Sequence, residues 1–181
     1  GANNTAVGND ALYSTTTGND NTAVGYAAGL AVTTGTNNTF IGGLAGDAIT
    51  TSSSNVAVGD YALSAETSSN GNVAIGSGAL KVQNAGGSGD ARNVAVGLLA
   101  GVAVTTGTNN VLIGYSAGSS SSDDLTTGSN NIVIGTNRPS LPAGELHSIL
   151  IGTVANIAGK GNNTGFISPN SGAVYQGNNS S

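Results

Sequence analysis

Few residues in this chain could do chemistry, and their spacing argues against catalysis. The single histidine, His147, has no cysteine in the chain to share a metal with and no acidic cluster beside it. It therefore lacks both a partner ligand and the orienting carboxylate that a general base needs; a packing or rim position suits it better. Asp123 and Asp124 offer the oxygen ligands that Ca²⁺ takes, but two adjacent carboxylates are too few to hold the ion, and they read as a solvated loop. No phosphate-cradling GxxxxGK[ST] loop and no GxSxG nucleophile elbow occurs. The chain is not expected to be an enzyme, and no metal or cofactor is expected. What is left is binding chemistry. Tyr13, Tyr26, Tyr61 and Tyr115 each offer a flat ring face and a hydroxyl, which suits sugar rings. Tyr26 and Tyr115 stand directly after a glycine in equivalent registers. The stretches Asn84 to Arg92 and Ser119 to Leu125 add Asn84, Asp90, Arg92, Asp123 and Asp124 as surface candidates for receptor contact.

The elements that position these residues are repeats. The stretch "AVTTGTNNTFIGGLAG" from Ala31 returns as "AVTTGTNNVLIGYSAG" from Ala103. Between and around them runs a series of Asn, three small or β-branched residues, and Gly. It ends at Gly8, Gly25, Gly42, Gly59, Gly76, Gly97, Gly114 and Gly135, with a degenerate "SILIG" at Gly152. Successive glycines are 17, 17, 17, 17, 21, 17, 21 and 17 residues apart. Nine registers at two spacings define one structural unit stacked along an axis, a repeat architecture. The residues before each Gly favour strand, and the Gly favours a turn. A second small apolar spot follows three or four residues later, as at Ala28-Gly29 and Ala62-Leu63. Each unit thus reads as two short strands and two turns, one rung of an all-β parallel β-roll (a β-solenoid) of about nine rungs. At roughly 4.8 Å per rung the rod body is on the order of 40 Å long. Residues 1–152 form the repeat domain, and 153–181 a C-terminal cap or linker segment. The four-residue additions fall in "KVQNAGGSGDAR" and "SSSSDDLTTGSN", polar stretches expected to bulge outward. The "GGSGD" run at Gly86 to Asp90 is similar to a calcium-binding glycine-rich nonapeptide, but it occurs once and its Asp is one position early.

Composition agrees with a thin core of small side chains. Gly makes up 30 of 181 residues and only 4% are aromatic, yet 38% are apolar, too many for a disordered tail. The net charge of −5 leaves no basic patch to follow a phosphate backbone, so nucleic-acid binding is not expected. No apolar run reaches the length of a membrane span. The chain opens at Gly1 already inside a repeat and reads as a piece of something longer.

Side chains alternate across a strand. In "NTAVG" the first and third residues after Asn share a face. The first-residue column runs Thr5, Thr22, Thr39, Val56, Val73, Val94, Val111, Ile132, Ile149. The third-residue column runs from Val7 to Ile151 and is branched and apolar throughout. These two columns are expected to fill the inside of the coil. The opposite column, Ala6, Ala23, Phe40, Ala57, Ala74, Ala95, Leu112, Val133 and Leu150, is also apolar. A strand with water on one side should alternate apolar and polar. The outer face therefore needs cover, and identical chains packing against it are the expected source. The Asn column from Asn4 to Asn131 is expected to be structural, its amides stacked along the rod and tied to the turn backbone.

The "NTAVG…AL…TTG…NN" rungs resemble the head repeats of trimeric autotransporter adhesins of the YadA type over residues 3–152. That resemblance implies a left-handed parallel β-roll in a homotrimer. The rungs here are 17 or 21 residues long, longer than the adhesin repeat, and the Ser before Val in the adhesin motif is replaced by Thr or Val. The tail "NNTGFISPNSGAVYQGNNSS", Asn162 to Ser181, resembles the segment found in phage tail fibres just before an intramolecular chaperone of the endosialidase type. Such chaperones direct trimer assembly and cut themselves off after a serine, which places the cut at Ser181. Together these resemblances imply a structural and receptor-binding segment of a trimeric bacteriophage tail fibre. It would lie extracellularly on the virion and meet a host cell-surface glycan or protein, with no membrane insertion. The alternative is the head of a bacterial adhesin on the outer surface. A third reading, an ice-binding solenoid, is suggested by Thr33-Thr34, Thr50-Thr51, Thr105-Thr106 and Thr126-Thr127.

Overall fold

The computed structural model describes residues 1–87, 89–119, 124–135 and 141–152, and the backbone of Gly165–Ser168. The chain is an all-β parallel β-solenoid of about eight turns, with no helix among the described residues. Its strands are β1 (Thr5–Val7), β2 (Thr22–Val24), β3 (Thr39–Ile41), β4 (Val56–Val58), β5 (Val73–Ile75), β6 (Val94–Val96), β7 (Val111–Ile113), β8 (Ile132–Ile134), β9 (Ile149–Gly152) and β10 (Gly165–Ser168). Each pairs in parallel with the next in sequence, so the sheet order equals the chain order. Register follows the repeat residue for residue: Ala23 lies against Phe40, Phe40 against Ala57, and Ala95 against Leu112 across a 17-residue step. The 21-residue steps keep register too, Ala74 against Ala95 and Leu112 against Val133. The ladder passes beyond residue 152, because Gly165–Ser168 pairs with Ile149–Gly152.

Each coil carries one strand, not two. The expected second strand is a chain of left-handed corners. The second residue after the rung glycine has φ near +55° in Asp10, Ala27, Leu44, Tyr61, Leu99 and Ser116. The fourth has it again, in Leu12, Gly29, Gly46, Leu63, Leu80, Gly101 and Gly118. So does the residue before each ladder asparagine, from Asn3 to His147. The rung glycines from Gly8 to Gly135 lie between +124° and +155°, a region essentially closed to other residues. Corners of one coil still hydrogen-bond to corners of the next. Ala27 N–H donates to Asn9 O at 2.8 Å, and Gly29 N–H to Ala45 O at 2.9 Å. Stacking thus satisfies the turn backbone without extended strand.

The two faces of the strand are the reverse of the sequence expectation. The middle column points inward: Ala23, Phe40, Ala57, Ala74, Ala95, Leu112, Val133 and Leu150 are all 0% exposed. The first and third columns face out, with Ile41, Ile75 and Ile113 left 41%, 39% and 37% exposed. The interior explains the choice, because large and small residues are exchanged between its two sides. Where the strand centre is Ala57 or Ala74, the far corner of the same coil supplies Leu63 or Leu80. Where the strand centre is Phe40, the corners are Gly29 and Gly46, and a Cβ on Gly29 would lie 2.7 Å from Phe40 Cδ2. Leu112 sits in the same way against Gly101 and Gly118. The space between the strand centre and that corner admits only one of the two as a large side chain, while the next inward register adds Val32, Ile49, Val104 or Leu125. Each fully buried Leu or Phe contributes about 1.5–3 kcal/mol.

The asparagine column behaves as expected. Asn38 Oδ1 accepts the backbone N–H of Asn55 at 3.0 Å and its side-chain amide at 3.2 Å. The pattern repeats from Asn4 to Asn131 and ends on Ser148, whose N–H donates to Asn131 Oδ1 at 2.9 Å. From Asn21 onward these amides are buried, and they tie turn to turn along the rod.

Candidate functional site: the outer strand face and the first long loop

Because the middle column is inside, the outer face of β1–β9 carries two adjacent columns per coil. The first-residue column is Thr5, Thr22 and Thr39, then Val or Ile from Val56 to Ile149. The third-residue column is Val or Ile from Val7 to Ile151. No charged side chain interrupts either. Val7, Val24, Ile41, Ile75, Ile113, Ile149 and Ile151 are exposed, and Val56, Val58, Val73, Val94, Val96, Val111, Ile132 and Ile134 are half-buried. A water-facing apolar stripe running the length of a rod marks an interaction surface.

Tyr26 and Tyr115 occupy the position after the rung glycine in coils 2 and 7, exposed by 60% and 45%. Five coils separate them, so they do not form one site. Tyr13 and Tyr61 stand at other registers; Lys81 Nζ lies 4.7 Å from the Tyr61 ring centroid, a cation–π pair. His147 is an exposed left-handed corner whose N–H donates to Ser129 O at 3.2 Å, a rim position. No group of three or more His, Cys, Asp or Glu that could hold a metal occurs among the described residues. One threonine of each pair has a structural use, the first in Thr33, Thr50 and Thr105 and the second in Thr127. Thr33 Oγ1 donates to Thr50 O at 3.1 Å, and Thr105 Oγ1 to Thr126 O at 3.1 Å.

The two four-residue additions are built differently. In coil 7 the addition is pinched off: Ser119 bridges Asp124, and Ser119 Oγ donates to Asp124 Oδ1 at 3.0 Å. Leu125 N–H then donates to Gly118 O at 2.9 Å, and the ladder resumes. Asp124 is thus part of a loop neck; Asp123 and Ser181 lie outside the described residues.

In coil 5 the addition lies in the turn that normally carries the ladder. In coils 1, 2 and 7 three successive N–H groups converge on one carbonyl of the next coil. Thr16, Thr17 and Gly18 donate to Thr33 O at 3.0–3.2 Å, and Thr126, Thr127 and Gly128 donate to Ala143 O at 2.8–3.2 Å. The matching amides of coil 4, on Thr67, Ser68 and Ser69, donate instead to Glu66 Oε1 at 2.9, 2.9 and 2.8 Å. The carboxylate fills a nest of amides from within its own coil. Asn84 Oδ1 does the same for the threonine hydroxyl, accepting from Thr67 Oγ1 at 3.4 Å. Sequence reasoning placed Asn84 at the surface for binding; it is half-buried and structural. It also overlooked Glu66, which is 0% exposed. The signal was present: Glu66 and Gln83 share a register with Val32, Ile49, Val104 and Leu125, and they break that apolar column just before the longer rung.

Freed from the ladder, the loop stands off coil 4. Ser68 Oγ donates to Gly87 O at 3.0 Å, Asn70 N–H to Gly89 O at 3.2 Å, and Asn70 Nδ2 to Asp90 Oδ1 at 3.2 Å. Arg92 pairs with the other oxygen of Asp90. Asp90 and Arg92 are thus brought together at the surface. Beneath them lies a cavity of about 200 Å³ lined by Ser69, Ala85, Gly86, Gly87, Gly89, Asp90 and Thr108.

Comparison with protein-family models, with curated proteins and with solved structures finds no match for this chain.

Proposed function

We propose that this chain is a rod segment of a trimeric extracellular fibre, of the bacteriophage tail-fibre kind, that joins structural and receptor-contacting roles. The observation that carries this reading is the uncharged apolar stripe on the outer face of β1–β9. An occupant of that stripe must offer apolar groups at the coil spacing over the whole rod. A second copy lying parallel offers the same columns at the same spacing. Copies related by rotation about an axis along the rod bury one shared face, which closes the assembly and leaves no stripe in water. Three copies and a left-handed coil are what the resemblance to trimeric adhesin heads implies. The head of a bacterial trimeric adhesin is the second reading. The ice-binding solenoid is the third reading; Thr33, Thr50 and Thr105 give their hydroxyls to the next coil, which leaves Thr34, Thr51 and Thr106 as its exposed threonines.

Light scattering of the purified chain at micromolar concentration tests the assembly. A trimer is expected. Ile75→Lys with Ile113→Lys should give a folded monomer, while Ala74→Lys, pointing inward, should unfold the rod. A wild-type folded monomer would overturn the proposal. The gene beyond Ser181 separates the two readings: an Asp-led chaperone domain supports the phage fibre, and a coiled-coil stalk with a membrane anchor supports the adhesin.

A further inference from the structure

The cavity under the first long loop has the marks of a prepared site. The loop is tied to Thr67, Ser68 and Asn70 of the coil below through Asn84, Gly87 and Asp90, and Asp90 also pairs with Arg92. The three amides that the insertion deprives of a ladder carbonyl, on Thr67, Ser68 and Ser69, are satisfied by Glu66. The space is therefore not a gap left by an imperfect ladder. It is a stand-off that a buried carboxylate makes affordable.

From its chemistry we infer that this cavity binds one terminal neutral sugar unit of a surface glycan. This deepens the receptor-contacting reading above and rests on it. At about 200 Å³ the cavity is smaller than the sites that enclose whole drug-sized ligands, which run roughly 300–1,000 Å³. It takes one ring at the end of a larger molecule. Asp90 presents a carboxylate with acceptor capacity beyond its two existing bonds, as needed for vicinal hydroxyls. Thr108 and Ser69 line the wall; the Thr108 hydroxyl donates to Ser129 Oγ at 3.3 Å and keeps acceptor capacity for a sugar hydroxyl. The amides of Gly87 and Gly89 donate to no acceptor among the described residues. Ala85 and the glycine Cα atoms give the small apolar surface that the C–H face of a sugar needs. Charge decides against an anionic sugar: Arg92 is already paired with Asp90, Glu66 lies behind Ser69, and the chain carries a net −5. A bare cation finds only the single carboxylate of Asp90 in the lining, too few hard ligands to hold it.

A glycan array of the wild-type protein, followed by calorimetric titration with the monosaccharide that ends the bound glycans, tests the inference. Binding to neutral-ended glycans is expected, without added calcium. Asp90→Ala and Thr108→Val should each weaken it about tenfold or more, the loss of one hydrogen bond with a charged or fixed group. Tyr26→Ala and Tyr115→Ala should leave it unchanged. Silence on the array, binding only to sialylated or calcium-loaded probes, or full binding by Asp90→Ala would overturn it. Light scattering on the same samples keeps the two proposals apart. A trimer that binds no neutral sugar sinks this one alone, and a monomer that binds through Asp90 sinks only the fibre.

Discussion

Glu66 Oε1 accepts the backbone N–H of Ser69 at 2.8 Å, in the place where coils 1, 2, 6 and 7 present a main-chain carbonyl from the next coil. One side chain thus replaces one rung-to-rung contact, and the ladder survives a four-residue insertion. Without Glu66, the amides of Thr67, Ser68 and Ser69 would lose their acceptor in a site where Ser69 is buried. An unsatisfied buried donor costs about 1–3 kcal/mol. Glu66→Ala should therefore lower stability by about 3 kcal/mol, and Glu66→Gln, which keeps one carbonyl oxygen, by about 1 kcal/mol. Chemical denaturation at fixed protein concentration reads both. A Glu66→Ala midpoint equal to wild type would show that the loop backbone takes over the role.

The rung glycines make a sharper contrast with those of the loop. Gly59 has φ +130°, and a Cβ placed there would lie 2.6 Å from the carbonyl carbon of Gly76 in the next coil. Both partners are backbone, so neither can move aside without opening the stack. Gly86 has φ +66° and nothing within 4 Å. Gly59→Ala should cost about 3 kcal/mol or more, from strain and collision together. Gly86→Ala should cost about 1–2 kcal/mol, the left-handed penalty alone. Thermal unfolding of the two variants should differ plainly; equal melting temperatures would contradict the close approach of successive glycines.

The positions of all nine expected rungs were legible because Asn and Gly recur where the backbone has no substitute. Asn55 ties two turns, and Gly59 touches Gly76. Which strand face is inside was not legible from alternation, since Ala57 and its neighbours Val56 and Val58 are all apolar and a three-residue strand gives no polar side to read. The deciding signal is the exchange of volume between columns, Phe40 opposite Gly46 and Ala57 opposite Leu63, which shows only when the strand centre and the distant corner are compared. The absent second strand has a similar cause. Leu12, Leu63 and Leu80 sit at a register shared with Gly29 and Gly46, and a position that alternates Leu with Gly marks a left-handed corner, not a strand. Glu66 was hidden for another reason: its role depends on an insertion that lies a full coil further along the chain.

Asp47 gives the fold a pH dependence. Burial raises its carboxyl above the ordinary 3.8, against the lowering effect of a backbone hydrogen bond, and its Oδ1 is buried without a partner. A carboxyl raised in the folded state binds its proton more tightly there than in the unfolded chain. Stability therefore falls as pH rises from the ordinary aspartate range through the folded value, and the penalty is complete above it. Asp47→Asn should raise the denaturation midpoint at pH 7 and lose that advantage below the ordinary aspartate range. An equal gain at both pH values would assign the effect to packing, not to charge.

The asparagine ladder should show how strongly position along the rod matters. Asn55 is 0% exposed. Its Oδ1 accepts the backbone N–H of Asn72 at 2.9 Å, and its amide donates to Asn38 Oδ1 and Ser52 Oγ, both at 3.2 Å. Asn55→Ala removes an acceptor and two donors from a dry site and leaves the Asn72 amide unpaired, so a loss of about 3 kcal/mol is expected. Asn4 plays the same part for Asn21, but it is only half-buried in the first coil, where water can replace it. Asn4→Ala should cost about 1 kcal/mol. Hydrogen exchange adds a local readout: the Asn72 amide should lose protection in Asn55→Ala while the amides of coils 7 and 8 keep theirs, since each coil contacts only its neighbours. Loss of protection along the whole rod would mean that the coils unfold as one cooperative block, and the ladder would then be a global lock instead of a series of local ties.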